Sequence, residues 1–260
     1  MPLLVWIVLF AALGGIASAA LAVVFLWVPE AHAARILPHF VSFATGTLLG
    51  AALLALLPEA IAGSGVAASH AIGLTLIAGL GVFFVIEKLV LWWHVRGEEE
   101  THSRSGDSHG HHASGTLVLV GDSLHNALDG VLIAAAFLTS VSLGLVTTLA
   151  VAAHEIPHRV GDFAILVHSG LSRGRALLLN FVTGLASIVG AVVAYCGLRR
   201  ALEILPYALA FAAAGFLYIA VAGLIPGLHR RADPRSSALQ VLLIALGIAV
   251  ISLAERLAGR

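Results

Sequence analysis

Two short stretches hold most of the side chains able to do chemistry. Asp122, His125, Asn126 and Asp129 occur in the first, and His154, Glu155, His158, Arg159 and Asp162 in the second. Their spacings are helical: Asp122 to His125 is i,i+3, and Asp122 to Asn126 and His125 to Asp129 are i,i+4, so a helix places all four on one face. In the second stretch His154, His158 and Asp162 form one i,i+4 ladder, and Glu155 and Arg159 a second beside it. Imidazole with carboxylate suits Zn²⁺ or another first-row divalent ion, and no thiolate accompanies them, which argues against a Cu(I) site. A lone histidine among apolar residues is ordinarily a hydrogen-bonded core residue; seven ligand-capable side chains in two windows favour a metal site. Pro157 falls among the ligands of the second stretch. Lacking an N–H, it frees the carbonyl of Ala153, giving a kink and an extra oxygen beside the site.

The elements that must position these stretches are membrane helices. Of 260 residues, 60% are hydrophobic and 11% charged, the mean hydropathy is +1.02, and a soluble chain carries about 25% charged residues. Fourteen basic side chains balance fourteen acidic ones, so no net field draws the protein to nucleic acid, which is not expected as a partner. The single cysteine, Cys196, allows neither an internal disulfide nor a CxxC zinc pair. A spanning helix needs about 20 mostly apolar residues. Reading for such runs gives eight: 3–28, 36–61, 70–94, 116–139, 143–168, 175–198, 205–229 and 238–257. The first contains Ala17-Ser18-Ala19, similar to a signal-peptidase site, but residues 1–10 have no basic region and the apolar run continues, so it reads as a retained helix.

Nine basic residues cluster at the loops after helices 1, 3, 5 and 7, against four, Arg199, Arg200, Arg256 and Arg260, on the other side. The bias predicts both termini outside. Helix 2 has Phe43-Ala44 and then Pro58 fifteen residues after the Phe, and helix 7 has Phe211-Ala212 and then Pro226 at the same interval. With eight spans these two helices run in opposite directions, as in an inverted 3+2+3 arrangement in which helices 1–3 and 6–8 flank a central pair. The expectation is therefore an all-α membrane protein, one transmembrane transporter domain over 1–260. One long polar stretch, 97–114, interrupts it as a cytoplasmic loop after helix 3, whose His102, His109, His111 and His112 can capture metal loosely.

Residues 154–158 also fit HExxH, in which two histidines hold zinc and the Glu is a general base. In a membrane chain this suggests an intramembrane metalloprotease of the site-2 type, and Leu128-Asp129-Gly130 matches that family's LDG. The LDG precedes the HExxH instead of following it, Pro157 interrupts the ligand helix, and Asp122, His125 and Asn126 are left without a role.

A transporter uses all of these residues. Gly121-Asp122-Ser123-Leu124-His125-Asn126-Ala127-Leu128-Asp129-Gly130 in helix 4 and His154-Glu155-Ile156-Pro157-His158-Arg159-Val160-Gly161-Asp162 in helix 5 resemble the HNxxDG and HExPHExGD signatures of the ZIP family of divalent metal transporters, in its histidine-rich branch. The resemblance implies a non-enzymatic carrier of Zn²⁺ into the cytoplasm, with Fe²⁺, Mn²⁺ or Cd²⁺ as other cargo, and metal as cargo with no cofactor. It implies a binuclear site with His125, Asp129, His154 and His158 as the primary set and Asn126 and Glu155 lining a second position. It further implies an elevator-like movement of helices 1, 4, 5 and 6 against a dimerising scaffold of 2, 3, 7 and 8, in a bacterial inner membrane. The chain departs from the branch at Arg159, where a Glu is usual, at Ala51 and Ala55, which replace polar positions of helix 2, and at Gly227, where Glu often follows the proline. Helix 6, where some relatives place a Glu ligand, offers only Thr183 and Ser187. Glu59 and Glu255 remain as acidic candidates for the outer path. Arg159 keeps its charge at any accessible pH and, if buried, must pair with Glu155 or Asp162.

Overall fold

A computed structural model of the chain describes residues 2–25, 30–102, 110–229 and 233–258. Eight helical rods follow one another, with no strand among the described residues: α1 (3–25), α2 (30–64), α3 (Ser69–His102), α4 (Gly110–Thr139), α5 (Val141–His168), α6 (Arg173–Leu198), α7 (205–229) and α8 (Pro234–Ala258). Six of them contain stretches long and apolar enough to cross a membrane: Leu3–Ala20, Arg35–Ser64, Ser69–Leu89, Arg173–Leu198, Leu202–His229 and Pro234–Leu257. The other two, α4 and α5, are 30 and 28 residues long and carry the ionisable stripes. Helix extends further into the polar stretch than expected. The backbone of α3 is helical to His102 and that of α4 from Gly110, so 97–102 and 110–114 are not irregular loop. The side chains of His102, His111 and His112, and all of His109, lie outside the described residues.

α4 and α5 are joined through Ser140 alone, whose hydroxyl caps α5 by accepting a hydrogen bond from the Leu143 N–H at 3.1 Å. So short a joint makes the two helices antiparallel neighbours. His125 and Glu155 each lie fifteen residues from Ser140, and Asp122 and His158 each eighteen. A hairpin therefore sets each pair at one depth, stripe against stripe, with α5 remaining a single helix through Pro157.

α1, α4, α5 and α6 all contact one another, α2 packs on α8 and α7, and α3 on α7; α2 and α8 also pack on α5, and α3 and α7 on α4. α1 sits against α4, α5 and α6, with Ser18 and Ala19 buried. Small residues set the closest crossings. A Cβ at Gly130 of α4 would stand 1.8 Å from the Ser187 carbonyl of α6, and one at Gly190 of α6 would stand 2.0 Å from the Ala127 carbonyl of α4.

The internal repeat is visible in the backbone. α2 and α7 each widen into a π-helical segment, Ala51–Leu56 and Ile219–Leu224, each beginning eight residues after the repeat's Phe. Within them the Leu57 N–H bonds the Ala52 carbonyl and the Ile225 N–H bonds the Ala220 carbonyl. The cause is Pro58 and Pro226: neither can donate to the carbonyl four residues back, and an i→i+5 pattern steps over the missing donor. The crossing of α2 and α8 at Gly46 and Gly247 has its counterpart where Ala214 of α7 meets Gly79 of α3, at the same register of the repeat. The two repeat helices thus meet their neighbours through small residues at the same register.

Candidate metal centre

At the level of His125 and Glu155 the two stripes converge. One ligand atom from each of His125, Asp129, His154 and Glu155 falls within a sphere where all lie within 4.8 Å of one another. His154 Nε2 is 3.4 Å from Asp129 Oδ2 and 3.3 Å from His125 Nε2, and His125 Nε2 is 3.4 Å from Glu155 Oε1. The His154 ring is oriented by the Ala150 carbonyl, 3.0 Å from Nδ1; a proton on Nδ1 leaves the Nε2 lone pair free for a cation. Asp129 Oδ2 and Glu155 Oε1 are buried and accept no hydrogen bond. Bare carboxylate oxygens under two imidazole nitrogens, in a chain with so few charges, form a cradle that could hold a positive ion.

A second group, Asp122, Glu155 and His158, lies one turn further along. His158 stacks on His125 at 4.9 Å between centroids and holds Asp162 Oδ2 at 2.8 Å from its Nδ1. Arg159, fully buried, lies across this group. Its Nε bonds Glu155 Oε2 at 2.8 Å, and its Nη1 bonds Asp122 Oδ2 at 2.8 Å, the Asn180 carbonyl at 2.9 Å and Thr183 Oγ1 at 2.7 Å. Its Nη2 donates to Asn126 Oδ1. Asn180 answers by donating to the Arg159 carbonyl at 3.1 Å, so α4, α5 and α6 are tied through one side chain. The exposed edge lies with His125 and His158, whose side chains are 20% and 38% accessible. On the other side of the cradle Val146, Thr147, Ala150 and Val151 are buried.

Residues 94–255 match the family model for the ZIP zinc transporter. That is more than half of the chain. The chain belongs to the ZIP zinc transporter family. It is 38% identical over 229 residues to the Pongo abelii protein named zinc transporter ZIP13, covering 84% of this chain and 66% of the relative. It is 36% identical over 260 residues to the Mus musculus ZIP13, covering 86% and 71%, and 30% identical over 329 residues to the Mus musculus zinc transporter SLC39A7, covering 93% and 68%. The chain thus spans about two thirds of the length of these relatives.

Against the ZIP signatures, the geometry redistributes the expected ligands. Glu155 reaches the first group, and His158 faces the second together with Asp122. Asn126 is not free for a metal, because its Oδ1 takes the Arg159 guanidinium and its Nδ2 donates to the Asp122 carbonyl and Oδ1, both at 2.7 Å. Arg159 pairs with Glu155 as expected, and with Asp122 instead of Asp162. Helix 6 does contribute, through Thr183 and through Asn180, which the sequence reading passed over; a buried Asn on a helix facing two ionisable stripes was the available signal. Glu59 and Glu255 lie far from the cradle and line a separate cavity of about 490 Å³ at the α4–α5 joint, together with Ser140, Ser142, Val146 and Arg256. As a ZIP transporter the protein is not a protease. The Glu of its HExxH is fully buried, with one oxygen on Arg159 and the other 3.4 Å from His125.

Proposed function

We propose that the protein carries Zn²⁺ across the lipid bilayer into the cytoplasm through the cradle between α4 and α5, with Fe²⁺, Mn²⁺ and Cd²⁺ competing for the same ligands. The observation that supports this best is the convergence of His125, Asp129, His154 and Glu155 within 4.8 Å, with two buried carboxylate oxygens left without donors. An ion held by two imidazoles and two carboxylates from two helices is released by a small relative shift, which a closed thiolate cage would resist.

The path we infer begins in the cavity of Glu59 and Glu255, which lies on the outer side if the basic-residue bias sets the topology. It continues through the cradle and past His158 and Asp162, whose edge of the site is the more accessible one, to the cytoplasm. Outward opening is an elevator-type movement of α1, α4, α5 and α6 against α2, α3, α7 and α8. The second set forms the contact of a homodimer, seated in a bacterial inner membrane.

The test is uptake of radiolabelled zinc into proteoliposomes. Asp129→Ala and His154→Ala each remove one of four ligands but little packing, and the expected outcome is loss of saturable uptake with unchanged elution of the purified protein. Saturable uptake by either variant at the parent's rate refutes the assignment.

A further inference from the structure

The second group resembles a metal position, yet its ligand atoms are in use. Glu155 Oε2 and Asp122 Oδ2 each lie 2.8 Å from the Arg159 guanidinium. The remaining Asp122 oxygen accepts from Asn126 at 2.7 Å. That leaves His158, itself 2.8 Å from Asp162. The guanidinium cannot swing out: it is fully buried, and Asn180, Thr183 and Asn126 surround it with acceptors from two further helices. Arginine keeps its charge at any accessible pH, and its rigid fork suits two carboxylates at once.

We infer that Arg159 is a built-in substitute for a second metal ion, so that the α4–α5 site holds one divalent cation at a time. This rests on the transport site proposed above. Charge balance agrees. Asp122, Asp129, Glu155 and Asp162 carry four negative charges, and Arg159 leaves three, which a single divalent ion in the cradle reduces to one, on the carboxylate that His158 holds. A second divalent ion would make the buried cluster net positive and would stand next to a fixed cation in a low-dielectric interior, where like charges repel strongly. Arg159 is thereby a positioning residue as well. It holds Glu155 by one oxygen and turns the other toward His125, so the first group is assembled without a second metal bridging the carboxylate.

The experiment counts metal per chain by elemental analysis of purified, desalted full-length protein in which His102, His109, His111 and His112 are alanine, so that the polar stretch does not contribute. The expected count after saturation with zinc is one in this parent and one in Arg159→Lys, which keeps the charge. It is two in Arg159→Glu, which removes the cation and adds a carboxylate. If Arg159→Glu does not fold, Arg159→Gln, which removes the charge but keeps an amide for Asn180 and Thr183, carries the same expectation of two. Two ions in the parent, or one in a monodisperse Glu or Gln variant, overturns the inference. No tightly held ion in the parent overturns the transport site itself and leaves a different signature, since no variant at position 159 would then change the count.

Discussion

Two glycines of the motif pair make opposite predictions, because the structure puts one in a helix crossing and the other in open space. A Cβ on Gly130 would stand 1.8 Å from the Ser187 carbonyl oxygen, 2.7 Å from its carbon and 2.8 Å from the Ala191 nitrogen. All three are backbone atoms, so no rotamer change relieves them. Ordinary contact is about 3.5 Å, so α4 and α6 must separate by roughly 1.5 Å. Overpacking of this kind costs about 1–3 kcal/mol, and the upper part of that range corresponds to a fall in Tm of roughly 5–10 °C for a chain of this size. The separation also draws Asp122 and Asn126 of α4 away from Asn180 and Thr183 of α6, which share the Arg159 guanidinium of α5 with them, so zinc uptake should fall with stability. A Cβ on Gly161 meets nothing within 4 Å, and Gly161→Ala should be neutral or gain up to about 1 kcal/mol from the lost backbone freedom of a helical glycine. The assay heats detergent-solubilised protein, measures the monodisperse fraction that survives, and compares it with uptake in proteoliposomes. Gly130→Ala melting with the parent, or Gly161→Ala falling as far as Gly130→Ala, refutes the reasoning.

Glu59→Gln combined with Glu255→Gln should raise the KM for zinc several-fold without changing the maximal rate, because these carboxylates line the outer cavity and not the cradle; a reduced maximal rate at unchanged KM would place them in the translocation step. The effect should shrink with added salt, which screens exposed charge. Replacing His102, His109, His111 and His112 by alanine should leave the maximal rate unchanged and alter only apparent affinity at low zinc, and uptake curves for the purified variant decide it; a lost maximal rate would bring the polar stretch into the path.

The site's two helices were legible because spacing alone puts Asp122, His125 and Asp129 on one face and His154, His158 and Asp162 on another, and apolar surroundings leave such faces nowhere to turn but toward each other. Which carboxylate joins which imidazole was not legible. That depends on the rotation of α4 against α5, set by the Gly130 and Gly190 crossings with α6 and by the Arg159 hub, contacts between residues far apart in the chain. Arg159 itself announced that it needed a partner, but Glu155 and Asp162 are both one turn or less away on its own helix, and nothing local reveals that Asp122 and Asn180 come as near as Glu155 does. The repeat was visible in Phe43, Pro58, Phe211 and Pro226, whereas the π-helical segments that make it structural follow from backbone hydrogen bonding that side-chain patterns do not display. The polar stretch read as loop because low hydropathy was taken for lack of structure; a helix projecting from the membrane needs no apolar face beyond its last buried turn.

The mirrored crossings of α2 with α8 and α7 with α3 bear on how the chain is first threaded into a membrane. Two halves built alike and set upside down relative to each other give hydrophobicity no means of choosing which way up the protein inserts, since whatever one half favours its counterpart favours in reverse. Orientation is then left to the basic residues. With Arg159 sealed inside the bundle, thirteen of them remain, which the topology expected from the sequence divides nine to four. Moving three across would leave six against seven and yield a population pointing both ways.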